Sequence, residues 1–141
     1  MVHPKSLVTP MAVLAECNNT GATIFAQYGG IAALEEGEGF VASFNERCRR
    51  NAELVMGRLG QHPRVRLLRP EGAFYAFPRI EGVADSLAFA RRVLEEAKVG
   101  IAAGYTFGNG NESHVGLCFA ISTERLDEAL SRLIGVLDRL D

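Results

Sequence analysis

A chain of 141 residues, 48% of them hydrophobic, can enclose one domain's core, or one compact domain with an appendage. Its formal charge of −2, with acids and bases interspersed, offers no basic face to nucleic acid and no polybasic run to lipid, and no apolar run approaches the roughly 18 residues of a membrane span. The start, MVHPKSLVTPM, lacks the charged region and long apolar core of a secretory signal, and Cys17, Cys48 and Cys118 are odd in number and scattered like reduced thiols, so a soluble cytoplasmic protein is expected.

Residues 4–16 begin on Pro4 and carry Leu7, Met11 and Leu14 at helical spacing, which predicts a short helix. The polar run Cys17-Asn18-Asn19-Thr20-Gly21 suits a turn or a cap. A second helix is predicted from about Thr23 to Glu36, with Ile24, Tyr28, Ile31 and Leu34 on one side. Its Gly29-Gly30 pair is poor for a helix and points to close packing on another element. Residues 1–40 therefore read as a helical linker or arm that packs on something else, and residues 41–141 as the domain itself.

Val41, Phe44, Cys48, Ala52, Val55 and Leu59 make one apolar stripe, so 41–59 is the strongest helix, closed by Gly60. Arg47, Arg49 and Arg50 fall among its polar positions and read as a solvated face rather than an anion site. Val65–Leu68 is a short strand, Pro70-Glu71-Gly72 a turn, and Ala73–Phe77 an aromatic strand ended by Pro78. Asp85 or Ser86 caps a helix to about Ala97 that buries Phe89, Ala90, Val93 and Leu94. Val99, Ile101, Ala103 and then Val115, Leu117, Phe119 alternate with period two, as half-buried strands do. Between them Asn109-Gly110 supplies the positive-φ residues of a tight turn, and residues 104–107 make the loop longer than a minimal hairpin needs. Ser122 caps the last helix, whose stripe is Leu126, Leu130, Leu133, Leu137 and Leu140. This order predicts an α+β fold: a two-layer sandwich with a small, mostly antiparallel or mixed sheet, helices on one face, and an N-terminal helical arm.

Little in the residues alone points to chemistry. His3, His62 and His114 stand in no metal-ligand spacing with Cys, Asp or Glu, so no metal site is expected. There is no G-x-S-x-G elbow, and the glycine-rich run from Gly104 to Gly110 is neither G-x-G-x-x-G nor a phosphate loop with its lysine. Tyr75, Tyr105 and Phe107 leave two readings open, a small-ligand cleft and plain core or loop packing.

Taken together, PEGAFYAF from Pro70, VGIAAGYTFG from Val99 and NESHVGLCFAIS from Asn111 closely resemble the C-terminal small domain of the fold-type I, pyridoxal-phosphate-dependent class I/II aminotransferases. The likeness covers essentially the whole chain. FAQY from Phe25 and AALEEGE from Ala32 look like the segment that links that family's large domain to its small one.

The resemblance implies a parent enzyme that moves amino groups between amino acids and keto acids, with pyridoxal phosphate as its cofactor, a large domain absent from this chain, and a homodimer partner. In the family, an arginine within V-R-L-S-F-A grips the substrate's α-carboxylate with its planar fork. Here that stretch reads VGLCFA from Val115, so Gly116 stands vacant at the arginine's position. Ala103 replaces the usual proline before Gly104, and Lys98 stands where a helix-ending glycine is common. By the same resemblance Tyr105, Thr106 and Phe107 approach the substrate side, Gly72 lies in a turn near it, and Asn19 and Thr20 fall near a neighbouring subunit's active site. Lys5 and Lys98, the only lysines, lie outside the family's serine-and-lysine motif. This chain alone is thus expected to carry no catalytic residue, to bind no cofactor covalently and not to transaminate. The alternative is a non-catalytic relic that serves as an interaction, dimerisation or small-ligand-binding module.

Overall fold

The computed structural model describes residues 4–140, so His3 lies outside the described residues. The chain divides into two compact units, one ending at Ala42 and the other beginning at Ser43.

In the first unit, Pro4 opens a 3-10 turn over Lys5–Leu7 that continues into α1 (Val8–Asn19). Pro10 is tolerated there because the first helical N–H groups have no partner within the helix. The polar run at Cys17–Asn19 stays helical instead of turning. The break comes one residue later, where the Thr20 hydroxyl donates to the Glu16 carbonyl at 3.2 Å. Helix α2 (Ile24–Glu36) follows, with Thr23 as its N-cap. No residue of α1 or α2 is buried, and a Cβ added at Gly29 or Gly30 would meet nothing within 4 Å. The close packing expected of that glycine pair is not made among the described residues.

Helix α3 (Glu38–Arg58) starts earlier than its apolar stripe, and Val41 is exposed. Its buried side is Cys48, Asn51 and Val55, with Leu59 following. The N–H groups of Leu59 and Gly60 both donate to the Val55 carbonyl, at 2.9 and 3.1 Å. A Cβ on residue 60 would lie 2.7 Å from the Met56 carbonyl oxygen, so close approach, rather than a left-handed φ, selects glycine at this helix end.

The sheet is antiparallel throughout its described strands. Strand β1 (Val65–Arg66) pairs with β3 (Arg79–Ile80), and β2 (Tyr75–Ala76), β5 (Val115–Cys118) and β4 (Ala102–Ala103) form a second ladder with β5 in the centre. One aromatic strand was expected over 73–77. It ends before Pro78, as expected, but a further short strand, β3, follows the proline, which has no N–H although its carbonyl still accepts from the Val115 N–H at 3.1 Å. A bridge between Arg79 and His114 ties the two ladders together. Val65, Ala76, Ile80, Val115 and Leu117 point inward and join the core with residues of α3, α4 (Ser86–Ala97) and α5 (Thr123–Leu137). Tyr75, Arg66, Arg79, Ala102 and Cys118 face outward and are exposed.

Asp85 caps α4, its carboxylate accepting from the N–H groups of Leu87 and Ala88, and Ser122 caps α5 through the Arg125 N–H. Leu94, expected inside, is exposed because it lies off the side defined by Phe89, Ala90, Val93 and Ala97. In α5 the buried side is Leu126, Leu130, Leu133, Val136 and Leu137, while Leu140 is only partly covered. Lys98 ends α4 in the left-handed conformation (φ 57°) at the position where the resemblance leads one to expect glycine. In the 108–110 turn the positive φ angles belong to Gly108 and Gly110, and Asn109 does not share them, a correction to the expected Asn-Gly pair. The three cysteines are free. Among the described residues no helix is long and apolar enough to cross a membrane, and no cluster of His, Cys, Asp or Glu could hold a metal ion.

Candidate functional site

The register of β5 with its two neighbours fixes what surrounds Gly116. Tyr75 opposes Cys118, Ala76 opposes Leu117 and Arg79 bridges His114, so the residue opposite Gly116 on that side is Phe77. On the other side Ala102 opposes Gly116. A Cβ on residue 116 would lie 3.2 Å from the Ala102 Cβ and 3.3 Å from two edge carbons of the Phe107 ring. The glycine and alanine thus form a low floor on which Phe107 rests. Phe107 meets Phe77 edge-on, with centroids 5.2 Å apart, and Phe77 in turn stacks flat on the His114 ring at 5.0 Å and 11°.

The loop that carries Phe107 is held at several points. The Gly104 N–H donates to the His114 carbonyl at 2.9 Å, and a side chain there would run into the Asn111 and His114 carbonyl oxygens. Only glycine fits at that point. The Tyr105 N–H donates to the hydroxyl of buried Ser86 at 3.1 Å, and the Thr106 hydroxyl donates to the Ala103 carbonyl at 2.7 Å. The Asn111 amide closes the loop through the carbonyls of Phe107 (3.3 Å) and Gly108 (3.2 Å).

Of the residues singled out in the sequence, Gly116 and Phe107 therefore meet directly, whereas Thr106 and the Tyr105 backbone serve the loop. Gly72 lies apart from them, in a depression with Cys48, Glu53 and Ala73. The left-handed residue of that turn is Ala73 (φ 58°), one position past Gly72. Asn19 and Thr20 belong to the other unit, at the end of α1. Phe77, Arg79 and His114, which sequence reasoning did not single out as binding residues, share the outward face with Gly116. The signal was present as period-two alternation from Tyr75 through Phe77 to Arg79, but Pro78 concealed it by ending the strand reading.

The chain is 33% identical to an aspartate aminotransferase of Pyrococcus horikoshii and 32% identical to aromatic-amino-acid aminotransferase 2 of Thermococcus litoralis, over 98% and 97% of its own length. The crystal structure of an aromatic aminotransferase from Pyrococcus horikoshii superposes with a TM-score of 0.79 at 31% identity, covering 97% of this chain. This chain belongs to the fold-type I aminotransferases, as their C-terminal part. It spans 36% of the length of those two curated relatives and 37% of that crystal structure. An aminotransferase from Mycobacterium tuberculosis gives a TM-score of 0.80 at 25% identity, so the aminotransferase fold is kept across substantial sequence change. No family model matches the chain.

Proposed function

We propose that this chain is the small domain of a cytoplasmic, pyridoxal-phosphate-dependent aminotransferase acting on amino acids and keto acids, and that it works with a large domain and a second subunit. The observation that carries this reading is the state of α1 and α2. Neither buries a residue, yet Ile24, Phe25, Tyr28 and Leu34 are each 70% exposed or more. Free-standing proteins seldom leave contiguous apolar patches larger than ~300–600 Å² uncovered. That the chain matches only about one third of each relative supports this reading, in which the rest of the enzyme covers those side chains.

The residues present do not fit a covalent cofactor site. Lys5 stands on an exposed 3-10 turn and Lys98 at the exposed end of α4, so neither amine is buried in an enclosed site. We therefore assign cofactor binding to the large domain, and no catalytic residue to this chain. Phe107 lying over Gly116 also favours a second reading, in which carboxylate recognition at this position has been given up and the chain is a non-catalytic interaction module.

The test is to incubate the purified chain with pyridoxal phosphate, reduce with borohydride and measure intact mass. No stoichiometric adduct is expected. An adduct at Lys5 or Lys98, together with loss of the amino group from a donor amino acid, would make the chain a self-contained enzyme and sink the proposal. Arginine restored at position 116 in the full-length parent separates the two readings, since activity gained by that change marks the relic. A chain that sediments as a monomer at every concentration counts against the subunit contact.

A further inference from the structure

Strands β1 and β3 pair over two residues and then part. Beyond Arg66 the segment 67–70 leaves the sheet, and β2 remains an edge strand. The fork between them is an open groove of about 800 Å³ within the second unit, walled by Arg66, Arg69, Arg79, His114, Tyr75 and Phe77, with no aspartate or glutamate in its lining. Arg66 and Arg79 are direct cross-strand partners, an arrangement in which like charges repel. Two of the three arginines are neutralised nearby, Arg66 by Glu81 at 2.9 Å and Arg69 by Glu53. Arg79 has no acidic partner among the described residues. The backbone adds donors: the carbonyls of Phe74 and Pro78 accept from Phe119 and Val115, so in an antiparallel ladder Tyr75 and Phe77 turn their own N–H and C=O groups away from β5, toward the groove. Beside this uncompensated cation stands a flat apolar wall, the Phe77 ring backed by His114.

We propose that this groove binds a small aromatic carboxylate, with the acid held by the Arg79 guanidinium and the ring laid against Phe77. A planar fork matches a carboxylate through two parallel donors, and a ring of the ligand's size prefers an aromatic wall to solvent. The site goes beyond the aminotransferase reading. It uses neither position 116 nor a cofactor nor a large domain, so its failure leaves the borohydride result untouched, and the reverse holds too.

The full chain is titrated with 3-phenylpropionate while the amide and ring signals of Phe77 and His114 are followed by NMR, with 3-phenylpropanamide and acetate as comparison ligands. Saturable binding is expected at millimolar concentration, as befits a small ligand at an open site. Arg79→Gln should weaken the acid about tenfold and leave the amide unchanged, because a charge-assisted pair is lost. Arg66→Gln removes the same formal charge but should weaken binding less, since Arg66 is already spent on Glu81. Phe77→Leu should weaken 3-phenylpropionate and leave acetate unaffected. Absence of saturation overturns the proposal. So does an amide or acetate that binds as well as the acid, or equal losses in the two arginine variants, each variant having first been shown to melt like the parent chain.

Discussion

Leu34 and Leu130 are both leucines that helical spacing assigns to an apolar stripe, yet Leu34 is 87% exposed and Leu130 is 0% exposed. The difference lies in what surrounds them. Leu130 belongs to a core that α3, α4, α5 and the inward face of the sheet build together, whereas α2 has no buried residue among the described ones. A helical stripe of apolar residues therefore reports that a surface is meant to be covered, without saying by which chain segment.

The sharpest way to break that contrast is to truncate both leucines. Leu130→Ala should cost about 2–5 kcal/mol in urea unfolding, for lost transfer energy and the cavity left behind. Leu34→Ala should stay within about 0.5 kcal/mol, as exposed substitutions do. Equal costs would mean that the arm shares the core's cooperativity. Asn51 tests the polar side of the same core. It is fully buried, its amide donates to the Phe119 and Ile121 carbonyls at 2.8 and 2.9 Å, and its oxygen accepts from the Thr123 hydroxyl at 2.8 Å. Asn51→Ala strands all three partners where α3 meets the start of α5, and should cost about 2–4 kcal/mol by the same assay.

A smaller effect is expected on the outward face. Gly116→Arg must push the Phe107 ring from its floor, at about 1–2 kcal/mol for overpacking at a partly exposed site. Adding Phe107→Ala should recover most of that loss, and a double-mutant cycle without coupling would show that the ring does not hold position 116 closed. The smallest effect is electrostatic. Hydrogen bonds from Arg139 and then Arg92 hold the Glu96 carboxyl below the ordinary carboxylate range. A carboxyl lowered on folding adds stability that is complete above its unfolded pKa and is lost as pH falls through its folded pKa. The melting temperature of the parent chain should thus exceed that of Glu96→Gln slightly near neutral pH, and the gap should close on acidification below that range. High salt should shrink it as well, since the pair is exposed.

Much of this architecture was legible from spacing. Most of the stripes of α4 and α5, their caps at Asp85 (one of two residues expected for α4) and Ser122, and strand pairing on either side of the 104–112 loop appear where local chemistry places them, although only Ala102–Ala103 of the first strand is paired. Cases decided by tertiary contacts were not legible. Asn51 reads as a polar helix position until two carbonyls from residues 119 and 121 arrive to meet it. Leu94 reads as core until the sheet settles against a neighbouring stripe. In the candidate site, the empty place at Gly116 could be seen in the sequence, but not the ring that lies over it, because Phe107 reaches it through a loop whose path is set by bonds to Ser86, Ala103 and His114. Arg79 escaped notice because a proline one residue earlier ended the strand reading, although its carbonyl keeps the ladder running.

The position of β5 has a consequence for how the polypeptide acquires this shape. It is the only strand that joins β2 to β4 among the described residues, and it and α5 both come from the last quarter of the sequence. While residues 115–137 are still within the ribosome, α3, α4 and the first strands have nothing to close on. Their apolar sides stay wet until the arrival of β5, which pairs locally with β4 across the 104–112 loop but must reach back from Cys118 to Tyr75 to pair with β2. Closure of this unit therefore waits for β5 and α5, and an intermediate that lacks them, with the Tyr75–Phe77 edge bare, is prone to aggregate or to engage a chaperone.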